Sequence, residues 1–330
     1  MEYKYILQNG GLVRLQDEEQ NPQVIVILNP DDEEKQDLIT NYQLDEHNLT
    51  SALDPEEPGR IEYDTEGRHM ALILKRPMDV NLEESHYFAV VSLGLFLYPN
   101  RLIVVSKSPV RLFDARQINQ MHTVNDIMMK IIYGVINKFS ENLRLINMLS
   151  DSLEEKISRS IENRYLLELF KLEKSLVYYL ESINTNEMTF RKLNASAIKL
   201  GFDEENKEVL DDILIENNQL SRQAETYSTV LAELMDARSS IINNNMNMLI
   251  RKLTIISIVF MPLNIIASMG GMSEYTALTS HIPWPISYGL FAIGLVLIGL
   301  ITYAMIKNMG LERNSQPRPH RSWLFPHKTK

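Results

Sequence analysis

The sequence predicts an α+β domain, an α/β sandwich, followed by long stalk helices and a two-helix transmembrane hairpin. Three observations predict it. Short apolar runs separated by acidic turns fill the chain to Ser108. From Thr123 to Pro262 no proline intervenes, and Gly134 and Gly201 are the only glycines. After Leu249 come two long apolar spans without a charge.

In chain order, Gln23–Leu28, Met70–Lys75, Phe88–Leu97 and Arg101–Ser106 have the length and composition of strands. Tyr98-Pro99-Asn100 joins the last two as a hairpin. Asp45–Leu53 has helical spacing and stops at Asp54-Pro55, because a residue before proline disfavours helix. The acidic runs Asp31–Glu34 and Asp54–Glu57 read as solvated loops rather than metal sites. Helices are expected at about 123–158, 162–199 and 205–269. The last would span roughly 95 Å at 1.5 Å per residue, and only its final third is apolar enough for lipid. The expected organisation is a cytosolic α/β domain at 1–122, a cytosolic stalk region at 123–248, a first transmembrane helix at 249–270, an extracytoplasmic loop at 271–285, a second transmembrane helix at 286–306 and a basic cytosolic tail at 307–330.

Composition removes several function classes. A net charge of -10 argues against nucleic acid as a partner and suits cations. With no cysteine, thiolate zinc sites, disulfides and thiol nucleophiles are excluded, and any metal meets oxygen or histidine. The histidines are scattered, with no HExxH pair, and no Walker loop, GxGxxG or GxSxG occurs, so neither enzyme chemistry nor nucleotide-driven pumping is indicated. Asp17, Glu18 and Glu19 follow an N-terminus without a basic and apolar leader, so the N-terminus is expected to stay in the cytoplasm.

Leu253–Met269, with Leu249 and Ile250 before it, and Ile286–Ile306 each approach the roughly 20 residues a bilayer requires. No Lys or Arg lies between Leu253 and Ile306, whereas Arg251 and Lys252 precede and Lys307, Arg313, Arg318, Arg321, Lys328 and Lys330 follow. Both termini are therefore expected in the cytoplasm. The outer loop carries Glu274 and His281 and no fixed positive charge, so it would gather cations.

Thr254, Ser257, Asn264 and Ser268, the polar residues of the first span, fall on one helical stripe together with Met261. Steps of four and three carry the stripe back through Ile250, Asn247, Asn243, Ser240 and Asp236, and forward to Gly271. A dry coiled-coil seam is Leu, Ile and Val, so a hydrophilic seam suggests symmetry copies surrounding water. The other reading is that small polar groups bind helices together within lipid. Because one hairpin cannot enclose a channel, the pore reading requires a homo-oligomer.

Met261-Pro262-Leu263-Asn264-Ile265-Ile266-Ala267-Ser268-Met269-Gly270-Gly271-Met272 resembles the end of the first transmembrane helix of CorA-type magnesium transporters. That family closes the helix with Gly-Met-Asn; here the triplet is Gly271-Met272-Ser273, a departure at its last position. Pro58-Gly59-Arg60-Ile61-Glu62-Tyr63-Asp64 is similar to an early segment that precedes a strand in the same family. The resemblance implies a funnel-shaped homopentamer in the inner membrane, with first helices around the pore and second helices outside. It implies Mg²⁺, with Co²⁺ or Ni²⁺, moving inward as transported and regulatory ion, with no covalent cofactor. A Gly-Ile-Asn branch handles zinc, so proton-coupled Zn²⁺ transport stays open, as does a non-transporting sensor or scaffold.

By the same resemblance, Gly271, Met272, Ser273 and Glu274 form the selectivity mouth, where a hydrated Mg²⁺ is recognised through its water shell. A Ser273 ring offers hydroxyls of shorter reach, so the Gly271 carbonyl or Glu274 would supply what the asparagine does elsewhere. Asp236 is expected as an acidic ring at the cytosolic end, Asn243 and Asn247 as hydrophilic rings, and Ile250 and Met261 as constrictions. Asp212, beside Asp211, falls near the family's stalk-side sensor, with Glu83 or Glu84 as its partner across subunits.

Overall fold

The computed structural model describes residues 1–8, 11–15, 21–64, 69–79, 88–109, 121–159 and 163–308. Glu83, Glu84, Asp17, Glu18, Glu19 and the tail from Arg313 to Lys330 lie outside the described residues. The chain divides into two units, Met1–Met235 and Asp236–Lys330.

In the first unit, strands β1 (Glu2–Gln8), β2 (Gly11–Arg14), β3 (Val24–Leu28), β4 (Arg60–Tyr63), β5 (Met70–Pro77), β6 (Val90–Tyr98) and β7 (Arg101–Ser106) form one sheet. Its order is β2-β1-β3-β7-β6-β5-β4. The two near-continuous apolar runs, β3 and β7, sit at its middle as a parallel pair, because strands covered on both faces need no polar alternation. Val24, Val26, Leu102 and Val104 enter one core, and Ile25, Ile27, Ile103 and Val105 enter the other. The expected hairpin is present: β6 and β7 pair antiparallel with Tyr98 opposite Arg101. The Pro58–Asp64 segment is itself a strand in its middle, since β4 pairs with β5.

Helices α1 (Asp32–Asn41) and α2 (Glu46–Leu53) cover one face. The expectation of a solvated loop at Asp31–Glu34 is corrected here. Asp31 accepts the Glu34 N–H at 2.8 Å while Glu34 accepts the Asp31 N–H at 3.1 Å, a reciprocal cap that opens α1. α2 approaches β6 so closely that a Cβ on Gly94 would lie 2.5 Å from the Ala52 Cβ.

The other face is covered by α3 (Val124–Arg159), α4 (Asn163–Ala195) and the first part of α5 (Glu204–Gly270), which share one core with the sheet. Absence of proline lets these run long, and α4 ends four residues short of the expected Lys199 in a run of turns through Gly201, whose φ is +70°. Asn186 of α4 acts as a substitute strand. Its amide accepts the Lys75 N–H and donates to the Lys75 carbonyl, both at 2.8 Å, beyond the last β4 partner of β5.

The second unit holds the rest of α5, the short α6 (Ser273–Leu278) and α7 (Trp284–Asn308). α5 and α7 are both long and apolar enough to cross a membrane, and their apolar windows are almost wholly exposed in the single chain. Exposure on that scale fits lipid or neighbouring copies as the surroundings, not water.

Candidate functional site

Two contacts set which way the apolar end of α5 faces. A Cβ on Gly270 would overlap the Phe291 ring, and a Cβ on Gly299 would lie 3.5 Å from Leu263. These contacts run antiparallel, 270 to 291 and 263 to 299. Over the apolar end of α5 the less exposed residues, Ile255, Val259, Pro262, Leu263, Ile266 and Gly270, line up behind them.

The polar stripe lies on the other side. Asp236, Ser240, Asn243, Asn247, Ile250, Thr254, Ser257, Met261, Asn264, Ser268 and Gly271 are all exposed in the single chain. At about 100° per residue their common direction is roughly half a turn from the face that meets α7. The structure therefore does not use this stripe to bind the hairpin's own second helix. Within it, Thr254 Oγ1 donates to the Ile250 carbonyl at 2.8 Å and Ser257 Oγ to the Leu253 carbonyl at 3.0 Å. Both hydroxyl hydrogens are thus committed to the helix, and the oxygens turn acceptor lone pairs outward. Among the described residues Asn264 and Ser268 make no side-chain hydrogen bond. An amide without a partner in the chain needs water, an ion or another copy to satisfy it.

At the C-terminal end of α5 the Gly271 N–H reaches back to the carbonyls of Ala267 and Ser268 at 3.3 and 3.2 Å, and the Met272 N–H to Met269 at 3.2 Å. α5 stops there. Met272 is extended, φ −81° and ψ 150°, and the chain restarts as α6. Ser273 Oγ donates to Glu274 Oε2 at 3.3 Å, and both side chains are exposed. Among the described residues the Gly270 and Gly271 carbonyls accept no backbone hydrogen bond, so the turn presents acceptor oxygens. Such oxygens suit the water shell of a small divalent cation.

The remaining candidates lie in the first unit. Asp211 accepts the Asn194 amide at 3.0 Å. Asp212 is exposed and close enough to Tyr133 to help raise its pKa, after burial and Glu216. Side by side on a helix, the two carboxylates diverge and do not form a chelate within one chain. Among the described residues no three His, Cys, Asp or Glu side chains gather to hold a metal.

The sequence reading missed what holds the turn between α5 and α6. Tyr275 of α6 donates its hydroxyl to the Ser287 carbonyl at 3.1 Å, and its ring meets Tyr288 at 5.6 Å and Phe291 at 5.2 Å. Ser287, 4% exposed, is a buried polar residue at the start of an apolar helix. That serine, twelve residues from a tyrosine across a turn, was the available signal.

A sequence model of the family described as CorA-like Mg²⁺ transporter protein matches residues 24–307. The chain is 24% identical over 296 residues to the cobalt/magnesium transport protein CorA of Methanocaldococcus jannaschii, covering 85% of this chain and 88% of that one. The complete structure of the CorA magnesium transporter from that organism superposes with a TM-score of 0.74 at 20% identity, covering 96% of this chain and 98% of the other. The ZntB cytoplasmic domain from Vibrio parahaemolyticus gives a TM-score of 0.58 at 14% identity over 73% of this chain and 98% of that domain. The fold is that of full-length CorA, and the chain belongs to the CorA-like Mg²⁺ transporter family.

Proposed function

We propose that copies of this chain, five by family resemblance, surround a water-filled pathway that admits Mg²⁺ into the cytoplasm down the membrane potential. The pathway runs along the stripe from Asp236 to Gly271, with its outer mouth at Gly271, Met272, Ser273 and Glu274. The observation that carries this reading is the direction of the stripe. Its polar groups turn away from the hairpin's own contact face, leaving them to neighbours and solvent. A carboxylate ring at Asp236 concentrates cations, amides at Asn243 and Asn247 follow, and Ile250 and Met261 close by dewetting. The hydroxyl and amide oxygens of Thr254, Ser257, Asn264 and Ser268 accept hydrogen bonds from the ion's waters, which Mg²⁺ gives up reluctantly. Both termini lie in the cytoplasm, and the membrane is the inner membrane. Cytosolic divalent ions at Asp211 and Asp212, with Glu83 or Glu84 of an adjacent copy, favour the closed arrangement by shifting populations.

The likeness of the first unit's fold to a ZntB cytoplasmic domain supports a second reading, in which the ion is Zn²⁺ moved with protons. Uptake into proteoliposomes with an inside-negative potential, with Mg²⁺ competed by Zn²⁺, Co²⁺ and Ni²⁺, separates the two. Protein that passes none of these ions is a scaffold or sensor, and the transport reading falls. Asn264→Leu places an apolar ring in the path and lowers flux on the order of tenfold or more with the oligomer intact. Undiminished flux assigns the stripe to helix binding instead.

A further inference from the structure

We infer that Tyr275 is the positioning residue of the outer mouth, holding the Gly271–Glu274 turn by clamping α6 onto the first turns of α7. The inference rests on reading that turn as the mouth.

α6 has six residues, Ser273–Leu278, too few to sustain a helix alone. Its place is therefore set by what it touches. Upstream, α5 ends with Gly270 seated against the Phe291 ring. Downstream, Tyr275 packs on that same ring and on Tyr288, and its hydroxyl lies 3.1 Å from both the carbonyl and Oγ of Ser287. Thr279 Oγ1 donates to the Tyr275 carbonyl at 2.8 Å, tying the far end of α6 to the same residue. The mouth residues are thus a short bridge between two anchors that share Phe291. Acceptor oxygens recognise a hydrated ion only if their spacing is fixed, since a loose ring accommodates several ions equally. Removing the phenol oxygen keeps the aromatic packing and deletes both directional contacts to Ser287, leaving that buried residue without this partner.

Tyr275→Phe in the full-length protein, reconstituted into liposomes, is expected to raise the Mg²⁺ concentration for half-maximal uptake about two- to tenfold. The same change is expected to narrow the preference for Mg²⁺ over Co²⁺, with maximal rate and oligomer size unchanged. Ser287→Ala shifts both quantities the same way by less, and the double variant is no worse than Tyr275→Phe alone. A second readout is independent of transport. Because the chain has no cysteine, Met272→Cys gives a unique site for a nitroxide label, whose motion is expected to increase when Tyr275 becomes Phe. Unchanged half-saturation and ion preference, or a loss of maximal rate that tracks loss of assembled protein, overturns the proposal. If wild-type protein passes no divalent cation, the transport reading fails and label motion alone decides: an unaltered spectrum rejects the clamp.

Discussion

Two adjacent glycines do different work at the end of α5. Gly270 is buried, and any side chain there drives into Phe291, whereas a Cβ on Gly271 finds the carbonyls of Ser268 at 3.6 Å and Ala267 at 3.9 Å, ordinary contacts. Gly270→Ala is therefore expected to destabilise the hairpin by about 1–3 kcal/mol through overpacking, read as a lower melting temperature of the detergent-solubilised oligomer. Gly271→Ala is expected to leave that temperature unchanged and to alter uptake instead, as its methyl projects where the turn presents carbonyls. Equal thermal losses in the two variants would mean that the contact between Gly270 and Phe291 does not hold the hairpin. The sequence displayed both glycines without distinguishing them, because the partner that separates their roles lies on another helix. The polar stripe was legible for the opposite reason: it is periodic along a single helix, so spacing alone puts its residues on one side, although only the contacts with α7 show which way that side faces.

Where two helix starts meet, the carboxylate of Asp126 joins them. It accepts N–H groups of His122 and Thr123 at 2.8 and 2.9 Å at the head of α3, and the amide of Asn206 from the first turn of α5 at 3.0 Å. Burial pushes the Asp126 pKa up, but these hydrogen bonds to the charged form outweigh it and hold the group below the usual aspartate value. A carboxylate depressed in the folded state contributes stability above its unfolded pKa and loses it as pH falls through the folded one. Asp126→Asn is accordingly expected to lower the melting temperature at pH 7, with the gap to wild type closing below about pH 4. A gap that stays constant into acid would show that charge plays no part at this joint. Elements of this kind were unevenly readable. The hairpin of β6 and β7 announces itself by unbroken apolar runs around Pro99. β1 does not, because it carries Glu2 and Lys4 and is only half-buried beside the edge strand β2. α1 hid behind its own start signal, since Asp31 to Glu34 reads equally as a charged turn until the reciprocal hydrogen bonds are seen. The clamp of Tyr275 on Ser287 left only a faint signal, the serine at the head of an apolar helix, because an aromatic residue near a membrane end is expected at the interface in any case.

For the molecule as a whole, the proposed pathway has one source of energy to be tested, the membrane potential. The chain carries 43 acidic and 33 basic residues, yet between Leu253 and Ile306 the only fixed charge is Glu274, and no nucleotide-binding motif occurs. A pathway of this kind has the membrane potential to draw on, worth roughly 4.6 kcal/mol for each divalent ion per 100 mV. At equilibrium that corresponds to accumulation on the order of 10³-fold inside a vesicle held at 100 mV, inside negative. Liposomes carrying the protein, with the potential set by a potassium gradient and valinomycin, are expected to approach that ratio for Mg²⁺. Clamping the potential at zero should abolish concentrative uptake, and imposing a pH gradient under the clamp should restore nothing. A passive pore exposes the ion to the potential alone, whereas proton coupling adds a second driving force that survives the clamp. Zn²⁺ accumulation driven by a pH gradient at zero potential would therefore reassign the ion and the mechanism together, and would make Ser273 the mark of a different selectivity rather than a variation on the same one.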